Sequence, residues 1–129
     1  AELPTPDTGD LEEDLRQLFE RFRIADEAGH TTSLLPMLVD AARRDPAMAE
    51  VLHAFRESRR RPLRTVLRLA QLRGEIGEDL DLDAALSIVF GPFTYRRVVD
   101  GEEVTPEFVQ MVLHASVAAL RATARVAVR

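Results

Sequence analysis

Apolar residues recur at intervals of three and four from Leu11 to Leu120, and no stretch bounded by turn residues alternates apolar with polar. A helix gathers positions three and four apart onto one face, whereas a half-buried strand needs a period of two. This spacing predicts an all-α fold of about five helices with short connections. No internal repeat of fixed period is visible.

Helix ends are marked by residues that satisfy exposed backbone groups. Asp10 precedes a stripe of Leu11, Leu15, Leu18, Phe22 and Ala25, widened by Phe19. Asp10 with Glu13 three residues on predicts a reciprocal capping box, and Gly29 ends the helix. A shorter helix is expected from about Ser33 to Arg44, with Pro36 tolerated in its first turn. Asp45-Pro46 is an N-cap followed by a first-turn proline. The stripe after it, Met48, Val51, Leu52 and Phe55, resumes as Leu63, Val66, Leu67 and Ala70. Between the two, Pro62 removes one hydrogen bond and crowds the carbonyl of Ser58, predicting a kink or break. Arg73-Gly74 closes this element. A fourth helix is expected from Asp81 or Asp83 to about Val99, bent at Gly91-Pro92. Thr105-Pro106-Glu107 opens the last, which runs to about residue 127.

The 129 residues fit one domain, large enough to bury a core. There is no cysteine, which excludes disulfides, thiolate metal sites and a cysteine nucleophile. The longest uncharged stretches, Ala84 to Tyr95 and Phe108 to Leu120, fall short of the ~20 residues a membrane span needs. No signal peptide pattern is visible, and a cytoplasmic protein is expected. A net charge of −5 disfavours direct grip on DNA, which depends on Lys and Arg at phosphates. The start at Ala1 rather than Met, with Pro4, Pro6 and Gly9 in residues 1–9, reads as a linker arriving from a missing upstream domain. Residues 10–129 form the helical domain.

The last two helices carry more apolar residues than one face holds. A surface helix needs an apolar arc of little more than ~100°. Ile88 and Val89 on one, and Val109, Val112, Leu113, Val117 and Leu120 on the other, are the candidate contacts of a homodimer. A two-fold copy would complete a four-helix bundle. The competing reading is that both helices are central within one protomer.

Several strings, in order, resemble the C-terminal domain of TetR/AcrR-type transcriptional regulators. They are Pro6-Asp7-Thr8-Gly9-Asp10-Leu11-Glu12-Glu13-Asp14-Leu15, then Ala42-Arg43-Arg44-Asp45-Pro46, then Arg59-Arg60. Ala70 with Arg73-Gly74-Glu75-Ile76, and Gly91-Pro92-Phe93-Thr94-Tyr95-Arg96 with Val99 and Gly101, complete the set. Pro62 departs from the helix-friendly residue expected there. The resemblance implies a helical domain that binds a small hydrophobic effector and pairs through its last two helices. It also implies that DNA is touched only by an N-terminal helix-turn-helix absent here, and that effector binding controls operator release. A stand-alone interaction or scaffold domain without a ligand is the alternative.

The candidate ligand pocket is Phe19, Phe22, Met37, Phe55, Phe90, Phe93 and Tyr95, since pockets are largely apolar with a few polar groups. The same residues at helical spacing are also what a plain core uses. His30, His53 and His114 lack the spacing of metal ligands. Asp79, Asp81 and Asp83 imitate a calcium loop, but Ala84 and Phe90 occupy its glycine and closing glutamate positions; helix capping explains the acids. Arg56, Arg59, Arg60, Arg61, Arg64 and Arg68 form a basic cluster, in which Arg56, Arg60, Arg64 and Arg68 repeat along one side; it reads as a solvated face, or as a contact for an anionic effector or for a partner's acids. Neither a nucleophile elbow nor a phosphate loop is present, so no enzyme, metal or cofactor is expected.

Overall fold

A computed structural model describes residues 4–29 and 31–127, with side chains described for 4–27 and 34–124. The order is α1 (Leu11–Gly29), α2 (Thr31–Ala42), α3 (Pro46–Arg73), α4 (Leu82–Thr94) leading straight into a π-helical turn (Tyr95–Val99), and α5 (Pro106–Ala127). No strand occurs among the described residues, and the chain is all-α.

The expected caps are formed. Asp45 accepts from the amide of Ala47 at 3.0 Å, Asp81 from Asp83 at 3.0 Å, and Thr105 from Phe108 at 3.1 Å. Gly74 adopts φ +80°, the left-handed conformation that ends α3, and lets Glu75 donate back to the carbonyl of Ala70. At α1 only half the capping box exists. Asp10 accepts from the Glu13 amide at 3.0 Å, but the Glu13 carboxylate turns to Arg16, and the Asp10 amide faces the Thr8 hydroxyl at 3.3 Å.

Two expectations about prolines need correction, and of the kink or break at Pro62 the break is not found. α2 starts at Thr31 and ends at Ala42, so Pro36 sits in its second turn. α3 runs through Pro62 without a break. Its neighbours Leu63, Val66 and Leu67 are fully buried, and that packing carries the helix over one missing bond. Beyond Pro92, α4 does not continue as α-helix to Val99. It widens into the π turn, where the Asp100 amide reaches the Tyr95 carbonyl at 3.1 Å.

The core is a three-sided pack around α1. Leu11, Leu15 and Leu18 meet Leu63, Val66, Leu67 and Ala70 of α3, while α5 lies on both α1 and α4. α2 packs on α3, on the π turn and on α1. Residues 4–9 lie against the bundle: Pro6 is buried, and Arg21 donates to the Pro4 carbonyl at 2.6 Å.

This packing uses up most of the apolar surplus of the last two helices. Val89, Val112, Leu113, Val117 and Leu120 are at most 4% exposed within one protomer, so as dimer contacts they are corrected to core. The reason is that α5 is covered by α1 as well as α4. Of the residues expected at a dimer contact, only Ile88, 52% exposed, faces outward; Val109 is half-buried. The outward face is instead Ala84, Ile88 and Gly91 on α4 with Met111, Ala115, Ala118 and Ala122 on α5.

Candidate functional site

Where α2 bridges α3 and the π turn, the helices leave a cavity of about 290 Å³. Its wall is aromatic because α1, α3 and α4 each point phenylalanines inward: Phe19 and Phe22, Phe55, and Phe90 and Phe93. Phe19 meets Phe93 edge-on with ring centroids 5.2 Å apart, and Phe22 meets Phe90 at 5.8 Å. Leu35 and Val39 of α2 close one side, and Val104 and Val109 another.

Five of the seven pocket candidates therefore come together, and two do not. Met37 is 71% exposed. Leu35 and Val39, one turn apart, are the side of α2 that faces the cavity, which puts Met37 on the opposite side. Tyr95 is 60% exposed and faces a separate shallow recess with Gly91, Pro92, Arg96, Asp100 and Phe108. It stands two residues from Phe93, roughly 200° around the helix, and so points away. His53 and His114 are exposed, while His30 lies outside the described residues. No group of three or more His or acidic residues is placed to hold a metal among the described residues.

The wall is not only apolar. Among the described residues, Arg23, Arg56, Arg59, Arg60 and Arg97 line it, against the single carboxylate of Asp26. Asp26 is 5% exposed and pairs with Arg97, so the π turn is tied to α1 across the cavity. Arg23 is engaged by Glu20 at 2.7 Å and Glu27 at 2.9 Å, and the bond to Glu20 holds its guanidinium above the ordinary value. Arg59 is different. Its guanidinium carbon lies 5.1 Å from the ring centre of Phe22 and 5.5 Å from that of Phe55. Burial pushes its pKa down, opposed through space by Asp26.

The basic cluster of α3 thus divides by helical angle. Arg56 and Arg60 reach the cavity, Arg64 pairs with Asp83 at 3.0 Å, and Arg61 and Arg68 are exposed. Arg59 lies off the four-residue repeat, and unlike the exposed Arg56 and Arg60 it is half-buried in the cavity wall. Asp26 had a readable signal: it falls four residues after Phe22 on the apolar stripe of α1. Arg97 had none, since its direction depends on the π turn.

A family described as "Tetracyclin repressor-like, C-terminal domain" matches residues 5–116. The chain is 29% identical over 112 residues to the Uncharacterized HTH-type transcriptional regulator YdeS of Bacillus subtilis (strain 168). That match covers 84% of this chain and 54% of the relative, so the chain spans about half the length of the protein it resembles. No solved structure matches at a significant level.

Proposed function

Because this chain belongs to the tetracyclin repressor-like C-terminal domain family, we propose that it is the effector-sensing and dimerisation part of a DNA-binding transcriptional regulator. The observation that carries this reading is the cavity of about 290 Å³ walled by Phe19, Phe22, Phe55, Phe90 and Phe93. An apolar wall with a few polar groups is the usual make-up of a small-molecule site.

The cavity joins parts of the fold that a switch would have to couple. α1 contributes Phe19, Phe22 and Asp26, and the other end of α1 receives residues 4–9, the direction from which a DNA-reading head would arrive. The π turn contributes Arg97 and follows α4, one of the two helices with an outward apolar face. A ligand binding more tightly to one spacing of α1 against α4 than to another shifts the population toward that spacing. In a two-fold dimer that shift alters the distance between two heads, and the operator is released.

The dimer would pair the outward face of α4 and α5, rich in alanine with Ile88 and Met111 at its centre. Small residues let helices approach closely, and paired helix couples make a four-helix bundle.

The test is thermal melting of the intact protein against a panel of planar hydrophobic compounds. A true effector at a hundred times its Kd stabilises by about 2.7 kcal/mol, and the same compound releases bound operator DNA in a gel-shift assay. A panel in which nothing shifts the melting temperature, and nothing releases DNA, leaves the reading without support.

A further inference from the structure

We propose that the effector is an organic anion, a small apolar molecule carrying one carboxylate, with its body among the phenylalanines and its carboxylate received by Arg59. This rests on the cavity being an effector site.

Among the described residues the wall holds five arginines against one carboxylate, in a chain whose net charge is −5. Positive charge is therefore concentrated at this cavity against the trend of the molecule. Part of it is already neutralised: Arg97 by Asp26, and Arg23 by Glu20 and Glu27. Among the described residues, no carboxylate stands within ion-pair distance of Arg59, Arg56 or Arg60.

Arg56 and Arg60 are exposed, so water solvates them. Arg59 is half-buried between Phe22 and Phe55. Two ring faces replace only part of the hydration a half-buried guanidinium loses, and burial pushes its pKa down. A carboxylate arriving in the cavity would supply an acceptor that no described side chain gives this fork. The guanidinium presents paired N–H donors in the geometry a carboxylate accepts, and such charge-assisted bonds are stronger where water is scarce. The volume, near the lower end of the roughly 300–1,000 Å³ typical of ligand sites, calls for a compact body.

The test uses three compounds with one apolar body and different charge: 2-naphthoate, neutral 2-naphthamide and cationic 2-naphthylmethylamine. Titration calorimetry on the intact protein should rank the naphthoate at least about ten-fold tighter than the amide, and the amine weakest. Arg59→Met, which keeps the packed stem, should bring naphthoate down to the affinity of the amide and leave the amide within about two-fold. Equal affinities for acid and amide in the unaltered protein would overturn the carboxylate assignment while leaving an apolar effector site standing. The same holds if Arg59→Met weakens both compounds alike, since Arg59 is then only part of the wall. If none of the three binds, the anion proposal fails. The effector reading falls with it only if the wider compound panel also shifts nothing. The charge series needs no variant, so it decides even if Arg59→Met does not fold.

Discussion

The amide of Gly77 donates to the hydroxyl of Thr123 at 2.8 Å, and that hydroxyl donates in turn to the Leu120 carbonyl at 2.6 Å. The loop after α3 is thereby pinned to the C-terminal part of α5. A Cβ built on Gly77 would stand 2.9 Å from the backbone oxygen of Thr123, and backbone cannot swing aside as a long side chain can. Gly77→Ala is therefore expected to cost about 1–3 kcal/mol, as overpacking does. Gly74 provides a contrast: its φ is +80° but nothing lies within 4 Å. Gly74→Ala should cost only the left-handed strain of about 1–2 kcal/mol. Thermal denaturation of both variants, with Thr123→Val, checks this. Thr123→Val should weaken the fold by about 1–3 kcal/mol through the unpaired Gly77 amide. An unchanged melting temperature for Gly77→Ala would show that the two segments do not lie this close in solution.

A second anchor sits in the first turn of α1. Asp14 is fully buried, and its Oδ1 accepts from both the amide and the hydroxyl of Thr8 at 2.8 Å. The Arg73 guanidinium lies 3.9 Å from the other oxygen. Asp14→Ala should cost about 2–3 kcal/mol, because it strands two donors and removes the charge opposite Arg73. Asp14→Asn, which keeps an oxygen for Thr8, should cost roughly half as much. Urea denaturation distinguishes the two; equal losses would mean that only the charge matters and that the Thr8 contacts contribute nothing.

The outward face of α4 and α5 makes a separate prediction. Ile88 and Met111 are 52% and 65% exposed, so Ile88→Glu and Met111→Glu should barely change the stability of one protomer. In a dimer formed through this face, each puts a desolvated charge at the interface. The expected result by analytical ultracentrifugation is a shift to monomer, with helicity retained in circular dichroism. Leu113→Ala, at a residue 1% exposed, should instead cost about 2–5 kcal/mol of core stability. A protein that is already monomeric at micromolar concentration, or that stays dimeric with both substitutions, would remove this face as the interface.

What could be read from residue order alone follows a physical line. Helix ends are local events, so Asp45, Asp81, Thr105 and Gly74 were legible one by one. The aromatic wall was partly legible, because Phe19, Phe22, Phe55, Phe90 and Phe93 are large residues at helical spacing. Direction around a helix was harder. Met37 and Tyr95 are of the right kind but on the wrong side, and Arg59 was overshadowed by a regular repeat beside it. The surplus on α4 and α5 was misassigned for a different reason. Counting apolar residues tells how much surface must be covered, not whether α1 or a second chain covers it. The break allowed for at Pro62 does not occur, since tertiary packing around Leu63 and Val66 outweighs one lost bond.

Asp26 gives the last prediction, in which stability and binding move in opposite directions. Its carboxylate neutralises Arg97 within the cavity wall and acts through space on Arg59. Asp26→Asn leaves the Arg97 guanidinium, only 28% exposed, facing a neutral amide. Since that guanidinium still reaches some water, the loss should be about 1–3 kcal/mol rather than the larger penalty of a fully buried pair. The same change removes the only negative charge that lines the cavity among the described residues, so an anionic ligand meets less repulsion. Calorimetry should then show 2-naphthoate binding several-fold tighter to Asp26→Asn than to the unaltered protein, and 2-naphthamide nearly unchanged. Tighter binding of both compounds would point to a loosened cavity instead of altered charge, and weaker binding of naphthoate would mean that Asp26 positions the arginines the anion needs.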